Sequence, residues 1–278
     1  MTVYNYLWNS NLTYYSRIVD LLDFRNDYDF VFISKTHDYN YPRTINIWPE
    51  LKKELIHKQR PVIIFLADDE YRTLGDEYII PGITKKIFKQ YTNIEFKDHP
   101  VIRPVPLPNS PTVAQQQPFI NWNSRMYDYS FMGVIGSHRL PLKQSLQSRV
   151  NDNCNKFVFF YEEGSNNRPL TSKQYTNVLS NSKLTLCPPG WRCNESFRIV
   201  ECARFGCIIL AAELIPLWYN VPSPYIQIKD WSDLSVIDNL LAKSERELKD
   251  ISYETRKWYD DYLSPEAVAK YVTKEVLS

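Results

Sequence analysis

The residues best placed to do chemistry crowd between Leu186 and Cys207, LCPPGWRCNESFRIVECARFGC. Three arginines, two glutamates and four cysteines share this stretch with the breaker run Pro188-Pro189-Gly190. Such a set allows three chemistries: a cysteine site, an ion-paired helix, or a cradle for a charged ligand. The cysteines argue against the first. The chain has five, at 154, 187, 193, 202 and 207, an odd number with no C-x-x-C pair. That pattern disfavours a disulfide framework or a zinc site and fits a reducing compartment. Cys187, Cys202 and Cys207 read as small core residues. Cys193 is loop-borne and accessible on this reading, yet no histidine lies near it in sequence to activate it. Arg198 and Glu201 are either an i,i+3 ion pair worth ~0.2–0.5 kcal/mol on an exposed helix or part of a ligand cradle.

These side chains need elements to hold them. Phe197, Ile199, Val200, Cys202 and Ala203 form one apolar arc at helical spacing, with Arg198, Glu201 and Arg204 off it. Asn194 is placed to cap this helix and Gly206 to end it. The flanking runs KLTLC (183–187) and CIILAA (207–212) have the length and apolarity of buried strands. The segment is therefore a strand–loop–helix–strand unit of nucleotide-binding type. The same alternation recurs. DFVFIS (29–34), VIIFLA (62–67), YSFMGVIG (129–136), KFVFFY (156–161) and YIQI (225–228) are predicted strands. Helices are predicted over about 49–58, 83–91, 140–150, 172–182, 195–205 and most of 232–277, with a break at Ser264-Pro265. Parallel sheets covered on both faces follow, with ligands at the carboxyl ends of the strands. The proline-rich run 100–118 reads as an extended linker. It divides the chain into a domain over 1–118 and a second over 119–262, with 263–278 a helix returning to the first.

Composition narrows the classes. The 278 residues are 44% hydrophobic, which provides a sizeable core and excludes global disorder. Thirty-three basic residues face 32 acidic ones, a formal +1, so no global field recruits nucleic acid or anionic lipid and any anion site is local. No apolar run approaches the ~20 residues of a membrane helix, and the first residues lack a signal-peptide pattern; a soluble, cytoplasmic protein is the expectation. Neither G-x-G-x-x-G nor G-x-x-x-x-G-K-[ST] occurs, which disfavours dinucleotide and phosphate-loop enzymes. The absence of G-x-S-x-G, with only four histidines, disfavours serine hydrolases.

Pro189-Gly190, Ser196-Phe197-Arg198, Glu201 and Gly206-Cys207-Ile208, followed by Leu217 and Asp230-Trp231, resemble the exostosin-like glycosyltransferases, whose pattern runs S-x-R-x-x-E-A-x-x-x-G-C-I-P-V. Cys202 stands where that pattern has alanine, and Ile209-Leu210 where it has proline and valine. Upstream, Phe131-Met132-Gly133 and then Arg139 resemble the family's F-x-G and arginine. The resemblance covers about Tyr127–Tyr262. It implies an α/β GT-B fold, two Rossmann-like domains with parallel sheets facing a cleft. The second domain would hold a UDP-sugar, the first a glycan acceptor, and the reaction would invert the anomeric centre. Chains of this size and motif set are also similar to glycosyltransferases of large algal viruses, among them a xylosyltransferase.

On that resemblance each residue acquires an expected role. Arg139 clamps the diphosphate through paired guanidinium bonds, helped by the Gly136-Ser137 turn and by the helix start at Glu195-Ser196. Arg198 belongs to the donor side, and Glu201 resembles the carboxylate that accepts bonds from ribose hydroxyls. Pro189-Gly190 shapes the loop. Trp191 stacks on uracil or the sugar, or else anchors the loop in the core. Glu195 faces the sugar or answers the helix dipole. Asp69, then Asp68, is the expected catalytic base, since adjacent carboxylates raise one another's pKa; a solvated acidic loop is the plain alternative. His37-Asp38 is the runner-up base. Asp27 and Asp29 form a D-x-D that precedes its strand and reads as a solvated turn, and Asp68-Asp69 lacks that spacing, so no metal or other cofactor is expected. A non-catalytic nucleotide- or carbohydrate-binding module would keep Arg198 and Glu201 and need no base.

Overall fold

The computed structural model describes residues 1–6, 9–34, 47–67, 75–96, 98–108, 120–149, 153–161, 169–190 and 192–278, with backbone alone for 9–11. In chain order its elements begin β1 (Val3–Tyr6), α1 (Asn9–Asp20), β2 (Asp29–Ser34), α2 (Trp48–Lys58), β3 (Val62–Ala67), β4 (Thr84–Lys89) and β5 (Ile102–Pro104). Then come β6 (Tyr127–Val134), α3 (Leu140–Ser148), β7 (Lys156–Tyr161), α4 (Ser172–Ser180), β8 (Ser182–Cys187), α5 (Phe197–Arg204), β9 (Ile208–Ala211) and β10 (Ile226–Gln227). The chain ends with α6 (Ser235–Leu241), α7 (Glu245–Trp258), a π turn over Tyr259–Leu263 and α8 (Pro265–Leu277). All strand pairings are parallel. Two compact units result. One comprises Met1–Pro108, Ile215–Val221 and Tyr262–Ser278; the other comprises Asn109–Leu214 and Pro222–Asp261.

The first unit holds a five-stranded sheet in the order β1-β2-β3-β4-β5. Every residue of β2 and β3 is buried, as expected of parallel strands covered on both faces. Their alternation sorts side chains to two cores. Phe30, Phe32, Ile63, Phe65 and Phe88 pack under α1 and α8. Val31, Ile33, Ile64, Leu66 and Ile87 pack under Leu51 and Leu55 of α2. Fully burying such a side chain contributes ~1.5–3 kcal/mol. Trp218, from the returning segment, stacks on Tyr271 of α8 at 4.0 Å and donates its indole N–H to Pro104 O.

Three expectations fail in this unit. The predicted helix over 83–91 is strand β4. Ile83, Ile87, Phe88 and Tyr91 have helical spacing, but pairing with β3 and β5 overrides it. Two of the three lysines that made the segment look amphipathic are buried: Lys86 donates to Pro100 O and Lys89 is fully enclosed, while Lys85 is exposed. The proposed linker begins instead as the edge strand β5. Pro104 is tolerated there because an edge strand has one side without ladder donors to supply, and Val105 N–H still bonds Lys89 O; residues 109–119 lie outside the described set. Asp29 is not solvated: it is buried at the head of β2, accepting the Thr2 N–H at 2.7 Å and facing Arg60.

The second unit has the order β10-β9-β8-β6-β7. Its core joins Tyr129, Phe131, Leu184, Leu186, Ile208 and Leu210 to α3, α6 and α7. α4 starts at a capping box formed by Thr171 and Gln174. α5 ends at Gly206, which takes φ +62°, while Cys207 N–H reaches back to Cys202 O. The carbonyls at that end take side-chain donors. Arg125 bonds Phe205 O, Gly206 O and Ser182 O; Ser252 bonds Gly206 O; Arg256 bonds Arg204 O. Positive charge at a helix carboxyl end is favourable. Burial lowers the Arg125 pKa. Arg125→Met strips buried carbonyls of their donor and is expected to destabilise this unit by ~2–4 kcal/mol, read as a lower urea midpoint at unchanged slope; an unchanged midpoint contradicts the assigned role.

Candidate active site at the strand-order reversal

In the second unit the chain steps from β6 outward to β7, then returns past β6 to β8 and continues to β9 and β10. The reversal lies between β6 and β8, and a crevice at the carboxyl ends there is the usual ligand position in such sheets. The crevice has a local cause. The β6–β8 ladder stops at Ser130↔Thr185, although β6 stays with β7 to Val134↔Tyr161 and β8 stays with β9 to Cys187↔Ala211. Pro188 and Pro189 follow β8, and proline has no N–H with which to extend a ladder.

The parted strands leave carbonyls to satisfy, and two arginines do so. Ile135 N–H bonds Tyr161 O on the β7 side, so strand alternation turns Met132 O and Val134 O toward β8. Arg198 Nη2 donates to Met132 O. Arg139 Nη1 donates to Val134 O at 2.9 Å, while its Nε and Nη2 reach across to Pro189 O at 3.1 and 2.7 Å. Arg139 therefore bridges the mouth of the crevice. Gly133 lies where the two guanidinium groups pass. A Cβ there would stand 2.6 Å from Arg198 Nη2 and 3.6 Å from Arg139 Nη1. Arg198 also lies over the Phe131 ring, 5.0 Å from its centroid. Burial opposes its charge, but Tyr175, the nearby sulfurs and Glu201 outweigh that, and its pKa is raised.

The loop from Pro188 to Ser196 is tied down by short bonds. Gly190 N–H bonds Cys193 O at 2.8 Å, and a Cβ on Gly190 would press on Cys193 O at 3.3 Å. Cys193 is buried rather than accessible, its thiol donating to Glu195 O. Asn194 does not cap α5; its Nδ2 bonds Glu213 O after β9. Ser196 is the N-cap residue, with extended backbone, yet its hydroxyl does not cap the helix. Ser196 Oγ and Arg198 Nε are buried and have no partner among the described residues. Two such atoms in one helical turn need an explanation, because each costs ~1–3 kcal/mol in isolation.

Arg198 and Glu201 do not form the surface pair. Glu201 is 1% exposed and accepts the Tyr175 hydroxyl at 2.6 Å. Glu195 is also buried, ahead of α5. Gly136 and Ser137 open a 3-10 turn over Ser137–Arg139, and burial followed by Arg139 lowers the His138 pKa. Below the helix, Cys187 and Cys202 are in contact, Sγ to Sγ 3.8 Å. Burial, then Cys187, pushes the Cys202 thiol well up; its bond to Cys202, then burial, does the same for Cys207. These thiols are packing groups.

Arg139, Arg198 and Pro189 meet at the parted strands. Gly136 and Ser137 precede Arg139 in its turn, Gly190 follows Pro189 and Ser196 precedes Arg198 in the chain, and Glu195 and Glu201 are buried before and within α5. Trp191, Asp68, Asp69, Glu70, His37 and Asp38 lie outside the described residues. Among the described residues no group of three His, Cys, Asp or Glu is arranged to hold a metal, and no helix is long and apolar enough to cross a membrane. Tyr175 was not singled out from sequence. Its only signal is its place on the helix preceding β8.

The exostosin GT47 domain matches residues 64–243, well over half of the chain. The chain belongs to this family. Its two parallel α/β sheets are of GT-B type. Ribitol-5-phosphate xylosyltransferase 1 of Danio rerio is 29% identical over 106 residues, 33% of this chain and 24% of that protein. A glycosyltransferase of Rickettsia africae superposes with a TM-score of 0.56 at 9% identity, covering 100% of this chain and 98% of that one. TarM gives 0.52 at 11% identity, covering 90% and 55%. These two likenesses concern the fold.

Replacing Gly133 by alanine is expected to displace Arg198 from Met132 O while sparing the fold. A crystal structure of Gly133→Ala with Arg198 in its original place would refute the close-approach argument.

Proposed function

We propose that this glycosyltransferase inverts the anomeric centre as it moves a sugar, xylose before others, from a UDP-sugar to a hydroxyl of a glycan acceptor. The observation that carries the reading is the pair of unpartnered buried donors, Ser196 Oγ and Arg198 Nε, at the start of α5 beside the crevice. A diphosphate there would take both, together with the partial positive charge of the helix end. The sugar is favoured by the name of the Danio rerio relative; since only 24% of that protein is aligned, donor and acceptor are both part of the proposal.

In this reading the acceptor oxygen attacks the anomeric carbon from the face opposite the diphosphate. The bond from that carbon to the β-phosphate oxygen breaks, UDP leaves with the electron pair, and the acceptor proton passes to Asp69, with Asp68 as its neighbour. Arg139 meets the charge that develops on the departing diphosphate. Donors fixed where charge develops commonly supply ~3–4 kcal/mol, and Val134 O and Pro189 O hold this one in advance. The Gly136-Ser137 turn and the Pro189-Gly190 loop line the phosphates, Glu201 accepts from the ribose, Trp191 is the candidate to stack on uracil or the sugar, and Glu195 faces the sugar. The arginines and dipoles do the work a metal does elsewhere, so no cofactor is required.

Thermal-shift measurements with UDP, GDP and their sugars test the donor: selective stabilisation by UDP is expected, and by GDP alone it would reverse the nucleotide choice. Arg139→Ala should weaken UDP binding by tenfold or more (about 1.4 kcal/mol per decade). Asp69→Asn should leave UDP affinity intact and cut turnover at least a hundredfold; wild-type turnover removes Asp69 from the mechanism. Activity should survive exhaustive chelation, and its recovery only with added manganese would refute metal independence.

A further inference from the structure

We propose that Tyr175 is a positioning residue for recognition of the ribose, acting through Glu201, an inference that rests on the donor-site reading above. The two side chains come from different helices, α4 and α5, and meet at 2.6 Å with Glu201 almost fully enclosed. A carboxylate so placed is costly to keep charged and tends to protonate instead. A neutral carboxylic acid is a poorer acceptor for sugar hydroxyls. The phenol donates to Oε2 and favours the charged form. It can do so at any ordinary pH, because burial first and Glu201 next raise its own pKa well above the usual value.

Among the described residues, the titratable groups that act on this pair include Arg198 and Cys202 on α5, with Cys187 of β8 beside Arg198. The Cys202 thiol stays protonated. Arg198, beside the pair, stays positive. Removing the phenol leaves Glu201 with one fewer donor and raises its pKa. Recognition that needs the ionised form then weakens as the pH falls, whereas with Tyr175 in place it stays level.

The test compares UDP with 2′-deoxy-UDP, which share one phosphate chemistry and differ in a single ribose hydroxyl. Affinities are measured by calorimetry on the full chain between pH 8 and 5.5. Wild-type protein is expected to prefer UDP by about tenfold, the scale of a hydrogen bond to a charged group, with little pH dependence. Tyr175→Phe is expected to lose most of that preference, more at pH 5.5 than at pH 8, while keeping affinity for 2′-deoxy-UDP. A merely structural role lowers both affinities together and leaves their ratio unchanged; that outcome overturns the proposal. Should Tyr175→Phe fold poorly, the wild-type ratio decides: a preference that collapses between pH 8 and 5.5 shows that the phenol does not hold Glu201 ionised. Wild-type protein that binds neither nucleotide sinks the donor-site reading, and this proposal with it, whereas wild-type binding with an unchanged ratio in Tyr175→Phe sinks this proposal alone.

Discussion

The organisation of the second unit depends on the place where β6 and β8 stop pairing. A parallel sheet that parts must find donors for the carbonyls it exposes, and burial makes that requirement strict. Here guanidinium groups take the place of the missing backbone N–H groups. Met132 O is met by Arg198, and Val134 O together with Pro189 O by Arg139. The result is positive charge fixed by the backbone at the one edge where the fold opens. A side chain held this way needs no reorganisation when charge develops beside it. It also explains how a chain of formal charge +1 can present a concentrated cationic site.

α5 transmits this order through the unit. Its amino end faces the crevice with Ser196 and Arg198, and its carboxyl end is held by Arg125, Ser252 and Arg256. Between the ends, Ile199, Val200, Cys202 and Ala203 are buried against the sheet. Small thiols at 187, 202 and 207 allow the helix to lie close to β8 and β9. Glu201 is buried in its middle and is reached from α4 by the Tyr175 hydroxyl.

Much of this was legible from residue order. The apolar runs of β2, β3, β8 and β9 stand out because fully covered parallel strands carry few polar residues. The helix of Arg198 and Glu201 was found from its apolar arc and from Gly206. β4 was not, because its lysines alternate with Ile87 and Phe88 in a way that fits either period, and only neighbouring strands decide between them. β5 was hidden by prolines that an edge strand tolerates. The partners of Arg139 and Arg198 are main-chain oxygens, which leave no mark in a sequence, so the direction of both side chains was unreadable. Tyr175 was invisible for a related reason: its meaning comes from Glu201, 26 positions away and on another helix.

Neither unit is a single stretch of chain. The first takes Trp218 from the middle of the sequence and α8 from beyond residue 262, and Val268, Ala269, Val272 and Val276 of that helix seal the core over Phe65 and Phe88. On the ribosome, residues 1–108 emerge early with α1 to cover this face, but lack the part of the cover that α8 supplies until that helix has been synthesised. The part of that face beneath α8, around Phe88, therefore stays open for most of translation, and a nascent chain stalled before Pro265 presents it as an unfinished surface.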